Sequence, residues 1–343
     1  MTDHAGTSPA PTAPACAKPR GIRLGFTVGD YPRPPAGDAG LFDTVVAQAQ
    51  AAERAGFDSF WVPDHLMQTP AVAPKEEPMF ECYTTLGALA ALTSTLRLGA
   101  FVGCAAYRHP GLVAKAVTTL DVISHGRAVF GIGAGWYGEE HHAYGYELGT
   151  VADRFGRLVD TLEIVRALLA DGEATYAGRH YRVDGALNSP GPLQPGGPPI
   201  LVGGSGEKQT LRLVAEYADI CNVTGSPNDL RRLMGVLDAH CEAVGRDPVE
   251  ICRTFTSIVV VRDTEAEARA AVPAAYRRAE PTEVARNLAA HTGPIAGTRD
   301  QVVELLRAHL DAGLDGVVLS CVAQDRHPDY VEMLGELARE ALA

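Results

Sequence analysis

Few residues in this sequence are placed to move a proton, and the most suggestive two are adjacent. Asp64 and His65 come directly off the apolar run Phe60-Trp61-Val62-Pro63. A carboxylate beside an imidazole can position a ligand and transfer a proton near neutral pH. The same pair can also be a loop cap and a solvated ring, and the dipeptide alone does not choose between these. A second feature is Gly203-Gly204-Ser205-Gly206-Glu207-Lys208, which lies between the apolar Ile200-Leu201-Val202 and a helical run. Free backbone N–H groups at a glycine-rich helix start, with the helix dipole behind them, form an anion or phosphate site. A plain tight turn would use the same residues. The spacing of a Walker A loop is not met.

Two other constellations carry less. Gly133, Gly135 and Gly138 formally satisfy G-x-G-x-x-G. However, residues 137–145 read as a loop or short turn rather than an immediate helix, and no second strand ending in an acid follows at the expected distance. A dinucleotide fingerprint is therefore rejected. Glu139-Glu140-His141-His142 lacks the H-E-x-x-H spacing of a zinc helix, and adjacent side chains diverge, so no metal is expected. Glu140 reads instead as a packing or supporting carboxylate. Upstream, Gly103-Cys104-Ala105-Ala106 would let a flat ring approach the backbone closely, or would merely relieve crowding. Arg108 and His109 can cap the helix that follows.

The elements that must position these residues recur in one grammar. A strand at 21–28 is followed by a helix at 41–55, closed by Gly56, and a strand at 57–62 stopped by Pro63. The pattern continues with helix 82–94, strand 97–104, helix 111–123, strand 128–133 and helix 152–170. After an inserted hairpin over 176–183 come strand 200–202, helix 207–217, strand 219–223, helix 227–244 and strand 251–261. Helix 299–312, strand 315–319 and helix 328–342 end the series. Ala55-Gly56-Phe57-Asp58-Ser59-Phe60-Trp61-Val62 is echoed by Ala312-Gly313-Leu314-Asp315-Gly316-Val317-Val318-Leu319. Such near-continuous apolar strands belong to a parallel sheet covered on both faces. Eight βα units make an α/β (β/α)8 TIM barrel with insertions; a doubly wound sheet is the alternative. Residues 1–20 are too poor in apolar side chains to order and read as a disordered tail, leaving 21–343 as a single barrel domain. In such a barrel the active residues gather at the C-terminal ends of the strands, where Asp64, His65 and the glycine-rich turns all fall.

Composition narrows the function classes. A net charge of −12 argues against a nucleic-acid partner. No apolar run is long enough for a membrane span, and the N-terminus lacks the features of a secretory signal. Seven scattered cysteines with no CxxC pair suit a reduced, cytoplasmic protein. The four lysines, Lys18, Lys75, Lys115 and Lys208, fall in none of the expected strands. With no metal cluster either, a lyase or aldolase barrel lacks its central residue.

Taken together, Phe60-Trp61-Val62-Pro63-Asp64-His65, Tyr107-Arg108-His109-Pro110, Gly131-Ile132-Gly133-Ala134-Gly135-Trp136, Pro199-Ile200-Leu201-Val202-Gly203-Gly204-Ser205-Gly206 and Ala218-Asp219-Ile220-Cys221-Asn222-Val223 resemble the bacterial luciferase-like monooxygenase family. The resemblance runs from about Gly21 to the last helix and is nearest to the branch that uses coenzyme F420, a deazaflavin, in place of FMN. FMN users often carry Glu-His-His where this chain has Asp64-His65. The resemblance implies a barrel holding the deazaflavin over its C-terminal mouth, with Asp64 near the ring's polar edge and His65 on the substrate side. It implies a non-prolyl cis peptide at Phe101-Val102, close approach to the ring at Cys104, Ala134 and Gly135, and a phosphate held by Gly204, Ser205 and Gly206. Trp61, Met79, Phe80, Tyr107 and Trp136 are the substrate-pocket candidates, with core packing as the alternative for each. Members that oxidise sugar phosphates place a Trp shortly after Asp-His and a Glu after the strand-four glycines. Met67-Gln68-Thr69 and Trp136 stand here instead, so that substrate is not expected. The implied activity is hydride transfer between F420 and a small unsaturated, carbonyl or alcohol substrate, by a chain that can pair as a homodimer. The competing readings are an FMN-dependent two-component monooxygenase and a non-catalytic flavin- or deazaflavin-binding protein.

Overall fold

The computed structural model describes residues 22–31, 33–70, 72–273 and 294–343; the expected disordered tail, 1–20, lies outside them. Strand β1 (Leu24–Thr27) leads through α1 (Leu41–Arg54) to β2 (Ser59–Val62), α2 (Cys82–Leu92), β3 (Arg97–Ala100) and the two-residue β4 (Gly103–Cys104). Then come α3 (Pro110–Ile123), β5 (Ala128–Gly133), the short α4 (Gly138–Ala143) and α5 (Val151–Asp171). An antiparallel hairpin, β6 (Glu173–Ala177) and β7 (Arg182–Leu187), precedes β8 (Ile200–Gly203), α6 (Thr210–Tyr217), β9 (Ile220–Val223), α7 (Pro227–Val244) and β10 (Cys252–Val261). The described chain ends with α8 (Glu265–Ala271), β11 (Ile295–Gly297), α9 (Arg299–Leu310), β12 (Gly316–Cys321) and α10 (Pro328–Leu342).

The parallel strands pair in the order β1-β2-β3-β5-β8-β9-β10-β12, and β12 pairs back onto β1, closing an eight-stave barrel. Strands β2, β5, β9 and β12 are buried along their whole length, as strands covered on both faces must be. The principal core lies between staves and helices. Inside the barrel, Ile22, Trp61, Val129, Leu201, Ile220, Cys252 and Val318 form a second cluster capped by Phe101 and Val102. Trp61 fits there because its neighbours lack side chains. A Cβ on Gly25 would come within 2.7 Å of the indole nitrogen, and one on Gly99 within 2.7 Å of the ring.

The structure departs from the sequence reading in four places. The strand expected over 97–104 is broken by a cis Phe101–Val102 peptide, and only Gly103 and Cys104 rejoin the sheet, against β5. Residues 138–143, read as loop or short turn, form α4, whose first turn holds Glu139 and Glu140 and whose last turn holds His141 and His142, as the helix dipole favours. Helix α6 starts at Thr210 rather than 207, leaving a longer glycine-rich loop before it. Finally, α8 and β11 fall between strand 251–261 and helix 299–312, where the sequence pattern predicts no element, and β11 extends the sheet outside the barrel by pairing with β10.

Candidate active site

The C-terminal ends of β2, β3, β4, β5 and β8 bring most of the predicted residues to one mouth. Phe101, Val102, Ala134 and Gly135 are each half-buried and form its floor. The floor is shaped by glycines on the neighbouring staves. Val102 occupies space in which a Cβ on Gly133 would lie 2.8 Å, and one on Gly203 2.9 Å, from its methyl groups. Gly135 has φ +76°, and a Cβ there would meet the Cys104 sulfur at 2.7 Å. Cys104 is buried, its thiol pushed up to about 12 by burial, and so lies under the floor as an unreactive neutral group.

Asp64 is 3% exposed and its carboxylate is engaged by protein. Oδ2 accepts from the Cys104 N–H at 2.9 Å and from Arg108 Nη1 at 2.7 Å, while Oδ1 accepts from Arg108 Nη2 at 2.9 Å. This two-pronged contact matches the planar guanidinium to the carboxylate. Arg108 also reaches Glu81 and stacks over the Tyr83 ring, 4.9 Å from its centroid. Burial works against its charge, but the attraction of Asp64 and Glu81 outweighs this and holds its pKa up. Asp64, expected at the ring's polar edge and as a proton-moving group, ties the end of β2 to β4 and to the loop before α3. Arg108, expected as a helix cap, is its counter-ion; the capping role belongs to His109, whose Nδ1 accepts from the Gly111 N–H at 3.2 Å.

His65 is placed differently, with a side chain 20% exposed. Its Nδ1 lies 2.9 Å from Glu140 Oε2, and its ring meets Trp136 edge-on at 5.8 Å. Glu140, at 0% exposure, accepts at Oε1 from the backbone N–H groups of Leu66 (2.5 Å) and Met67 (3.1 Å), and at Oε2 from the Tyr107 hydroxyl as well. Burial pushes its carboxyl up, but the hydrogen bond to His65 and the positive charge of that ring when protonated, with the hydrogen bonds from Tyr107 and Leu66, more than offset it and hold the group below the usual carboxylate range. The expected supporting carboxylate is therefore the principal brace of the loop carrying His65. Tyr107, a pocket candidate, spends its hydroxyl on that brace, and burial together with the hydrogen bond to Glu140 drives its pKa upward.

The remaining pocket candidates divide. Trp136 is half-buried beside His65 and stacks on Tyr137 at 5.3 Å. Phe80 packs edge-on to Tyr31, just beyond β1, at 4.9 Å, and Met79 beside it is half-buried. Trp61 is fully buried inside the barrel, with its indole N–H donated to Ser59 Oγ at 2.8 Å, and supports Phe101 from below.

On the far side of the mouth, Gly204 takes φ +128°, and its N–H is donated to Asn222. Ser205 Oγ donates to the Thr224 carbonyl and accepts from the Thr224 N–H, which fixes the loop. Among the described residues, the backbone N–H groups of Ser205 and Gly206 have no protein acceptor, and α6 begins without a side-chain cap. No group of side chains among the described residues is arranged to hold a metal ion.

Comparison with known proteins matches this architecture. The F420-dependent hydroxymycolic acid dehydrogenase of Mycobacterium tuberculosis is 32% identical over 286 residues, 79% of this chain and 77% of that protein. A phthiodiolone/phenolphthiodiolone dimycocerosates ketoreductase of the same species is 34% identical over 220 residues, 59% of this chain and 56% of the relative. Among solved structures, an F420-dependent secondary alcohol dehydrogenase in complex with an F420–acetone adduct shares the fold, with a TM-score of 0.76 and 20% identity over 94% of this chain and 99% of that one. The family model for luciferase-like monooxygenases matches residues 21–313, and with a barrel closed in this order the chain belongs to that family.

Proposed function

We propose that the protein is an oxidoreductase that uses coenzyme F420 to interconvert an alcohol and a carbonyl compound. The observation that carries the reading is the juxtaposition of a half-exposed floor, Phe101, Val102, Ala134 and Gly135, with His65 held at its edge. The residues suit a flat, anionic coenzyme. Glycines at 133, 135 and 203 keep the backbone low around Val102 and Cys104, where side chains would collide. The glycine-rich loop before α6 offers the Ser205 and Gly206 N–H groups to a phosphate. A bound deazaflavin supplies a carbon centre that takes or gives a hydride, a two-electron step in which the protein contributes orientation and proton handling.

In this reading His65 takes the hydroxyl proton as the substrate is oxidised, or returns it on reduction, and Trp136 and Tyr137 shield the ring from water. Asp64 and Arg108 hold the mouth's geometry without touching the substrate. The named activities of the mycobacterial relatives, a dehydrogenase and a ketoreductase, support the alcohol–carbonyl class, as does the acetone adduct of the solved alcohol dehydrogenase. No helix among the described residues is long and apolar enough to cross a membrane. A cytoplasmic location and pairing as a homodimer belong to the same proposal, the first favoured by the buried thiols of Cys82, Cys104, Cys221, Cys241 and Cys321.

Fluorescence titration of the purified protein with F420 and, separately, with FMN tests the reading. Saturable binding of F420, micromolar or tighter, with negligible FMN binding is expected. Preference for FMN would replace the proposal with a two-component monooxygenase. Tight F420 binding, with the reduced coenzyme left untouched by every alcohol and carbonyl offered, would reduce the protein to a coenzyme binder.

A further inference from the structure

Resting on the reading above, we infer that Glu140 sets the tautomer of His65, so that the imidazole meets the substrate through a bare Nε2 and works as a base toward an alcohol. Glu140 is a positioning residue here, because it reaches the reaction only through His65. Three donors converge on its carboxylate, two backbone N–H groups at Oε1 and the Tyr107 hydroxyl at Oε2, and His65 Nδ1 lies against Oε2 at 2.9 Å. An ionised carboxylate can only accept. Nδ1 must therefore carry the proton, and in the neutral ring Nε2 is left unprotonated on the opposite edge.

With the ring neutral, the arrangement is prepared for alcohol oxidation. An alcohol that loses a hydride from carbon to the oxidised coenzyme must also lose its hydroxyl proton as the C–O bond becomes a carbonyl, and a bare Nε2 accepts that proton. The imidazolium so formed lies 2.9 Å from a buried carboxylate, which stabilises it. Carbonyl reduction needs the reverse, with Nε2 protonated before the hydride arrives.

The same four contacts predict what an isosteric neutral group does. In Glu140→Gln, the amide oxygen must stay against the Leu66 and Met67 N–H groups, since placing the NH2 there would oppose donor to donor. The NH2 is then forced into the position of Oε2, where it faces Nδ1 and donates to it. His65 must accept at Nδ1 and carry its proton on Nε2. A carboxylate that merely packed the loop would produce no such reversal.

The test is a nitrogen-15 NMR spectrum of the histidine rings of the full-length protein without coenzyme, at about pH 9, above the ordinary imidazole range. The His65 signals are identified by their loss in His65→Gln. The expected result is a wild-type ring predominantly protonated at Nδ1, and a Glu140→Gln ring predominantly protonated at Nε2. In Tyr107→Phe, which removes a donor but leaves the carboxylate, Nδ1–H should persist. A wild-type ring protonated at Nε2, or a Glu140→Gln ring still protonated at Nδ1, overturns the inference. Because no coenzyme is present, a failed F420 titration would sink the functional reading and leave this measurement standing, and the converse also holds.

Discussion

The bidentate pair of Arg108 and Asp64 should be worth more to the folded protein than any exposed ion pair, and a four-protein cycle can measure it. The Asp64 side chain is 1% exposed and that of Arg108 13%. Replacing Arg108 by Met keeps most of the stem's packing but, among the described residues, leaves the buried carboxylate with only the Cys104 N–H as partner. Stranding one member of a buried pair costs about 3–5 kcal/mol. The lost contact with Glu81, whose side chain is 41% exposed, adds at most about 1 kcal/mol. In Asp64→Asn/Arg108→Met neither charge remains buried, and the Asn carbonyl can still accept from Cys104, so the double variant should be more stable than Arg108→Met by about 2 kcal/mol. Urea unfolding of the wild type, both single variants and the double variant gives the coupling directly. An Arg108→Met protein within 1 kcal/mol of wild type, or effects that simply add, would refute the argument and leave Asp64 free for another role.

Two further variants probe the site itself. His65→Ala should leave coenzyme affinity nearly intact and lower turnover by about 100-fold or more, as expected for loss of a general acid–base; equal losses in both would reduce His65 to a structural support. A Cβ at position 206 already lies 2.8 Å from Thr210 Oγ1, so Gly206→Ala serves as the steric control for Gly206→Asp. The Asp variant should bind F420 at least about tenfold more weakly than the Ala variant, because its charge opposes a phosphate at the helix start. Matching affinities for the two in the same fluorescence titration would move the phosphate elsewhere.

The barrel was readable because its signal is repetitive and local. Val129-Phe130-Gly131-Ile132 and Val317-Val318-Leu319 are apolar at consecutive positions, and only a strand buried on both faces needs that. The break in β3 was not readable from the residues themselves, since Leu98-Gly99-Ala100-Phe101-Val102-Gly103 continues the same apolar run; only the family resemblance pointed to the cis bond. Helix α4 is six residues long, too short for periodicity to register, and its burial comes from contacts that Glu140 makes with residues far away in sequence. The same distance hid the partners of Asp64 and His65. Arg108 stands 44 residues beyond Asp64, and Glu140 stands 75 beyond His65. They meet because parallel staves release their loops at the same end of the barrel, β3 and β4 beside β2 and β5 one stave further on, so the closed barrel order, and not any motif spacing, brings them together.

That geometry also explains why two adjacent residues divide the work. Asp64 and Glu140 are both buried carboxylates whose charges both act on Cys104 and Tyr107, so without Arg108 two negative charges would bear on one poorly solvated region. Like charges so placed drive one of the pair to take up a proton. A protonated Glu140 could offer its own hydrogen to Nδ1 and send the imidazole proton to Nε2. By neutralising Asp64, Arg108 leaves Glu140 as the single uncompensated anion beside the ring, and this is the condition under which Nδ1 stays protonated and Nε2 stays bare. The Arg108→Met variant should therefore disturb the His65 tautomer without touching His65 or Glu140. An unchanged tautomer in that variant would show that the four hydrogen bonds to Glu140 hold its charge without help from Arg108.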